Sequence, residues 1–403
     1  MRILMLHNRY LQKGGEDGCF QMEVDLLRRF GCDVVTFEEN NERIADLGVL
    51  RTAVRASWSL ESYRAVRKLL RGARCDVLHV QNFFPLLSPS VYYAARAEGV
   101  AVVQTLHNYR LMCPVGTFNR AGHVCEDCMR RPFPWPSMVH GCYRESATAS
   151  AAIAMMIAVN SALGTWHEKV DAYIVLTEFM RQKYLKGGFP EKKLHVKPNF
   201  LDPDPGPGTR KGGFALFAGR LTPEKGIETL LRAWEQLDGK LKLKIAGAGP
   251  MEAQVKEAAS RLHSVEYLGW QPNEEIIRLM GEATVFLLPT EMYEGHPRSA
   301  VEAFARGAPV IGSRIGAMVG MVEDGESGML FNPGDSQDLA SKLLWALAHP
   351  DRLSRIGRAA RREFELKYSA EQNYRRLMDI YDSAMMFSRC ATGPEGGVSV
   401  EST

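Results

Sequence analysis

The chain has 403 residues, 45% of them hydrophobic and 24% charged, and a formal net charge of only +3. That length is ample for two or three cored domains, and near-neutrality excludes a global field that would recruit nucleic acid, so any grip on anions must come from local clusters. Eight cysteines are too few for a disulfide-dense framework, and four of them crowd into residues 113–142.

The chain opens on "MRILMLHN", which reads as a short buried strand with no signal-peptide cleavage region behind it. A reduced, cytoplasmic protein is expected. Gly14 and Gly15 follow, just before a helical pattern starting near Glu16. The pair is either a plain turn or a place where backbone N–H groups approach a phosphate at a helix start. "DVVTF" is the next strand candidate. Residues 51–74 then interleave Arg51, Arg55, Arg64, Arg67, Lys68, Arg71 and Arg74 with Trp58, Leu60, Tyr63, Leu69 and Leu70. This is either a solvated helix face or a basic amphipathic segment suited to an anionic membrane surface. "DVLHV", the loop "NFFPLLSP" and the strand "VAVVQTL" come next. That strand ends at Leu106, so His107 stands at the carboxyl edge of a sheet, where ligands of open α/β folds bind.

Cys113, Cys125, Cys128 and Cys142 follow, with a C-x-x-C at the centre of a Pro-, Gly- and Arg-rich stretch. Four thiolates at this spacing fit a closed structural zinc site, and a metal would supply folding energy to a loop without a core. An iron–sulfur cluster and metal-free thiols are the alternatives. The apolar run at 149–159 is too short and too Ala-rich to cross a bilayer. "AYIVLT" closes the first half. Residues 201–213, "LDPDPGPGTRKGG", carry too much Pro and Gly for strand or helix and read as a linker.

The second half repeats the alternation with "FALFAG", "LKLKIAG", "VEYLGW", "TVFLLPT", "PVIGS" and "GMLFNP", spaced by amphipathic segments such as 224–237 and 337–348. Strands alternating with helices predict parallel sheets. After "FALFAG" the turn "GRLTPEKG" presents Arg220 and Lys225, either a solvated basic turn or a diphosphate grip that needs no metal. After "TVFLLPT" comes "EMYEGHPRSAVEAFARG". Glu294 sits in the loop and Glu302 eight residues on, inside a helix that begins near Pro297. The backbone from Gly295 through His296, Pro297 and Arg298 to Ser299 offers N–H groups at a helix start for phosphate or hydroxyl oxygens. A surface Glu followed by a capping Glu is the plain alternative. Residues 351–387 read as two more helices, and the Gly/Ser/Thr-rich tail 388–403 as disordered.

The ordered set of Gly-Gly after the first strand, G-R-L-x-x-x-K-G after a later one, and E-G-x-P-x-x-x-x-E on the next helix resembles family 4 of the glycosyltransferases, over roughly residues 1–387. "TLHNYRLMCP" and "EDC" resemble a bacterial subgroup with a cysteine-rich loop. The resemblance implies a GT-B fold: two facing doubly wound Rossmann-like domains with a cleft between them. Residues 1–200 with 370–387 would form the acceptor-side domain, 214–369 the nucleotide-sugar domain, and the last helices would cross back to the first domain. It implies retaining transfer of a sugar from a UDP- or GDP-sugar to a glycan, glycolipid or small-molecule hydroxyl in surface polysaccharide or glycoconjugate synthesis, without a catalytic metal. By resemblance Glu294 contacts donor-sugar hydroxyls and Glu302 the nucleotide ribose. Arg220 and Lys225 hold the diphosphate, Gly14 and Gly15 contact phosphate from the opposite domain, and His107 lies against the sugar. "YLGW", Tyr267 to Trp270, matches where the family holds the base. A nucleotide-sugar epimerase or sugar phosphorylase of the same fold, and a non-catalytic zinc-knuckle binding module, are the rival readings. A dehydrogenase is disfavoured because G-x-G-x-x-G is absent.

Overall fold

A computed structural model describes residues 1–11, 14–209 and 212–392. Two six-stranded sheets organise it, and every pairing within them is parallel. The first contains β1 (Arg2–Arg9), β2 (Asp33–Asn40), β3 (Val77–Asn82), β4 (Ala101–Leu106), β5 (Ala172–Val175) and β6 (Leu194–Val196) in the order β2-β1-β3-β4-β5-β6. The second contains β7 (Phe214–Ala218), β8 (Lys242–Ala246), β9 (Val265–Gly269), β10 (Val285–Leu288), β11 (Val310–Ser313) and β12 (Gly328–Phe331) in the order β9-β8-β7-β10-β11-β12. β3 and β4 are buried along their whole length because helices cover both faces. Such strands read as continuous apolar runs instead of alternating ones, which is why they stood out in the sequence. β6 did not: three residues inside "KKLHVKPNF" leave no such run.

The strand order reverses between β1 and β3 in one sheet and between β7 and β10 in the other. Crevices at these switch points are where ligands of such sheets bind. Helix α1 (Gly15–Arg29) follows β1, and α2 (Val49–Ser57) and α3 (Leu60–Ala73) lead to β3. α4 (Ala147–Ala162) precedes β5, and α5 (Ile227–Leu237) and α6 (Arg298–Ala305) follow β7 and β10. α5 is entered through a short 3-10 turn, Pro223–Lys225, and a left-handed Gly226 at φ +71°. A Cβ there would stand 1.8 Å from the Pro289 carbonyl oxygen, so this position admits only glycine.

Residues 201–209, 212 and 213 run as irregular chain between the sheets, tied down where Leu201 N–H donates to the Tyr368 carbonyl and Gly208 N–H to that of Arg306. α7 (Pro350–Lys367) packs Ala360 and Phe364 into the second core. α8 (Ala370–Thr392) returns to the first sheet, burying Leu377, Ile380, Tyr381 and Ala384 against Ile3, Met5, Val77, Val103 and Ile174. The helix continues to Thr392, so the tail expected to be disordered from Ser388 is helical over its first five residues, and 393–403 lie outside the described residues. Among the described residues no helix is long and apolar enough to cross a membrane.

Candidate active site

The loops after β1, β4, β7 and β10 converge on a cavity of about 700 Å³ between the two sheets. Gly14, Gly15, His107, Arg220, Lys225, Glu294, Gly295, His296, Pro297, Arg298 and Glu302 all line it, although they come from four separate strand ends. Ser299, whose backbone the sequence also offered, lines it, and sequence reasoning passed over Glu16, Asn199 and Asn273, which line it too. Tyr267 to Trp270 are not among the lining residues, and Trp270 is 73% exposed.

Two helices start at the cavity with no side-chain hydrogen bond from the N-cap residue: α1 behind Gly14, whose own N–H donates to Asp17 Oδ2 at 2.9 Å, and α6 behind Pro297. Uncapped N-termini leave free N–H groups at the positive end of the helix dipole, a ready site for an anion. Arg298 ties the two walls together. Its guanidinium donates to the Gly15 carbonyl at 3.4 Å and to Glu302 Oε1 at 3.3 Å. A Cβ on Gly18 would lie 2.5 Å from that guanidinium, so a larger residue there would displace the Arg298 side chain from its present place. The second-sheet loop also touches the first domain elsewhere. Thr177 Oγ1 donates to the Gly295 carbonyl at 3.2 Å, and Phe179 meets Tyr293 edge-on at 4.8 Å.

Two pairs of charges at the cavity satisfy each other, Lys225 with Glu294 and Arg298 with Glu302. Lys225 Nζ forms an ion pair with Glu294, while Arg220 is exposed at the cavity and makes no ion pair among the described residues. Glu302 is buried, and burial raises its carboxyl pKa against the pull of Arg298 and a hydrogen bond from Asn273 at 3.4 Å. His296 is buried with both ring nitrogens unpartnered, and burial holds it down to about 3, so it is neutral. His107 Nε2 lies 2.6 Å from Gln81 Oε1, and burial lowers its pKa as well, despite the opposing pull of Glu16. Behind it Gln81 Nε2 donates to Glu23 Oε1 at 2.6 Å, and Glu23 Oε2 pairs with Lys197 at 2.5 Å. The arrangement offers cations and helix N-termini for a diphosphate beside two carboxylates and neutral imidazoles for hydroxyl groups.

Among the described residues no group of three or more His, Cys, Asp and Glu side chains stands ready to hold a metal ion. The four thiols of the cysteine loop are nonetheless neighbours, since Cys113, Cys142 and Cys125 all act on Cys128. The loop also has a core. Cys113 is buried with Tyr109 and Phe118 in the first hydrophobic cluster, and Met129 and Tyr143 pack against it. Cys128 is buried, with Sγ 3.8 Å from the Pro134 carbonyl. Burial first, then the neighbouring Cys113, pushes its thiol up to about 12. Ion pairs of Arg120 with Asp127 and of Lys183 with Glu126 pin the rest of the loop.

Two family descriptions match the chain: "Glycosyltransferase Family 4" over residues 21–205 and "Glycosyl transferases group 1" over residues 207–363. Among similar proteins, the amylovoran biosynthesis glycosyltransferase AmsK of Erwinia amylovora is 29% identical over 53% of this chain and 56% of its own length. The MMP alpha-(1->4)-mannosyltransferase of Mycolicibacterium hassiacum is 31% identical over 48% of this chain and 49% of its own. The chain thus spans about half the length of the curated relatives it matches. Among solved structures, Anabaena Alr3699/HepE in complex with UDP superposes with a TM-score of 0.69 at 16% identity, over 95% of this chain and 100% of that one. Sucrose-phosphate synthase from Thermosynechococcus elongatus gives the same TM-score over 96% and 99%. At such identities the likeness concerns the fold.

Proposed function

We propose a sugar-transfer reaction for this chain, which belongs to family 4 of the glycosyltransferases and has the two-domain GT-B fold. The donor is a nucleotide diphosphate sugar, the transferred group a hexose, and its anomeric configuration is kept. The observation that carries this reading is the cavity at which a helix of each domain begins and which Arg220, Lys225, Glu294 and Glu302 all line. UDP is the first candidate base because HepE was solved with UDP and with UDP-glucose. AmsK is named for amylovoran biosynthesis and WcaL of Escherichia coli for colanic acid biosynthesis, which favours a glycan or glycolipid acceptor.

In this reading Arg220, Lys225 and the N-termini of α1 and α6 neutralise the charge that grows on the leaving diphosphate. One well-placed donor of this kind is worth on the order of 3 kcal/mol in the transition state. Glu294 receives sugar hydroxyls once the ligand parts it from Lys225, Glu302 receives the ribose, and Gly14 and Gly15 close on phosphate from the first domain. The departing phosphate can take the acceptor's proton, so no protein nucleophile is assigned. Thermal-shift measurements test the site. A nucleotide diphosphate or its sugar should raise Tm, since a ligand at 100 times its Kd stabilises by about 2.7 kcal/mol. Lys225→Ala and Glu302→Ala should each abolish the rise. A broad panel that never shifts the wild type would overturn the donor-site reading.

The acceptor side is placed at a membrane surface. Leu50 and Val54 on α2, Trp58 just past its end and Leu60 at the start of α3 are exposed, and so are Met155 and Val159 on the α4 surface beside α2. α4 contains no charged residue. Arg64, Lys68 and Arg71 continue the exposed face of α3. Apolar faces rimmed by cations suit an anionic bilayer. Arg55 Nε donates to the Leu86 carbonyl at 2.8 Å, which fastens this surface to the loop after β3.

A further inference from the structure

We propose that Lys197, Glu23 and Gln81 are positioning residues that hold His107 as the neutral tautomer protonated on Nε2, so that Nδ1 meets the donor sugar as a hydrogen-bond acceptor. The inference rests on the donor-site reading and says what His107 can recognise there.

The argument runs from the buried charge outward. Lys197 and Glu23 are 3% and 4% exposed, and their ion pair is 2.5 Å long. A pair this deep persists only where further hydrogen bonds satisfy both ends. Lys197 Nζ also donates to Asn373 Oδ1 at 3.1 Å, and Asn373 Nδ2 donates to the Pro198 carbonyl at 2.8 Å. Burial raises the Glu23 carboxyl pKa, but Lys197 and His79 outweigh it and hold it below the usual range, so it is ionised. An ionised carboxylate only accepts. Gln81 must therefore turn its NH2 group toward Glu23, at 2.6 Å, and its carbonyl oxygen away.

That oxygen lies 2.6 Å from His107 Nε2. An amide oxygen cannot donate, so the ring nitrogen facing it carries the proton. The amide orientation, usually a matter of assignment, is here dictated by chemistry. His107 is faced by Glu16, His7, Glu23 and Lys197, and burial keeps its ring neutral. One nitrogen protonated on a neutral ring leaves the other with a lone pair. Nδ1 makes no hydrogen bond among the described residues and is not a buried orphan, and His107 lines the cavity, so we take Nδ1 as the atom left for a ligand. A sugar must bring an O–H or N–H to it. A deoxy position or a bare carbonyl there leaves the lone pair unmet.

Nitrogen chemical shifts of [15N]histidine-labelled full-length protein read the tautomer directly, with the His107 signal identified by its loss in His107→Gln. The expected spectrum is neutral and Nε2-protonated from pH 8 to pH 6.5. The double variant Glu23→Gln/Lys197→Met removes both buried charges together and frees the Gln81 amide to turn. It should give mixed tautomers and lower kcat about tenfold, the factor carried by one net hydrogen bond, while the thermal shift by nucleotide diphosphate persists. If that variant does not fold, Gln81→Leu serves: without the amide oxygen the proton is no longer held on Nε2, and mixed tautomers are expected. A wild-type ring protonated on Nδ1, or charged at pH 8, overturns the proposal, as does a folded double variant with unchanged tautomer and kcat. A missing nucleotide shift in the wild type would sink the donor site instead, and the spectrum would be unaffected by that failure.

Discussion

His79 and His296 carry a consequence that reaches beyond the site. Burial holds His79 down to about 4 and His296 to about 3, from an ordinary 6.5. Below pH 6.5 the unfolded chain binds protons at both rings and the folded chain does not. Their contribution to stability is complete above that pH and drains away as pH falls toward those folded values, by ~1.4 kcal/mol per pH unit for each ring. Urea midpoints between pH 7 and pH 4.5 should fall accordingly. His296→Phe, which removes an imidazole with two unpartnered nitrogens, should make that fall shallower. An identical slope in the variant would show that His296 protonates freely in the folded state. Residues of this kind mark the limit of what the sequence discloses. Gly14, Arg220, Lys225 and Glu294 were legible because polar and glycine residues at the ends of apolar runs are conspicuous. Gln81, Glu23 and Lys197 were not, because each is one polar residue in an otherwise ordinary strand or helix pattern. Their partners lie 58 and 174 positions away, and only the fold brings them together.

Among elements, α4 is the clearest case of a pattern whose meaning depends on its neighbours. Its Ala- and Met-rich sequence gives no polar face, so periodicity could not say which side is buried. In the structure Ile153, Met156 and Ile157 enter the core while Met155 and Val159 stay outside, beside the apolar surface of α2. If this surface docks on lipid, the protein should float with vesicles containing phosphatidylglycerol, and far less with phosphatidylcholine alone. Val54→Asp with Val159→Asp should abolish flotation while leaving the nucleotide-induced thermal shift intact. Equal flotation by that variant would remove the membrane from the reading, and loss of a dimer in its place would assign the face to a second copy of the chain. The twelve-strand alternation was legible except for β6. The cysteine loop was legible as a cluster, since Cys113, Cys142 and Cys125 all face Cys128, whereas the aromatic packing of Tyr109 and Phe118 around Cys113 was not.

At the scale of the whole molecule, α8 makes the two domains interdependent. It starts beside the second core and covers the first sheet, with Tyr381 fully buried and its hydroxyl 2.7 Å from His79 Nδ1. Tyr381→Ala should cost about 3–5 kcal/mol, as deletion of a buried aromatic usually does, and it should be seen as a lower Tm of the first domain although the residue lies near the chain's end. A Tm unchanged within a degree would mean that the helix only rests on the sheet. On the second-domain wall of the cleft, the ion pair of Lys225 with Glu294 sets a condition on entry. Without a ligand each charge already has a partner. An incoming anion that takes only the lysine strands a carboxylate, and a neutral sugar that takes only the carboxylate strands a lysine. A molecule that carries phosphate and hydroxyls on one frame replaces both contacts at once. At this pair, though not at Arg220, the cleft should therefore act as a two-key lock that favours such a molecule over inorganic phosphate or free sugar offered singly.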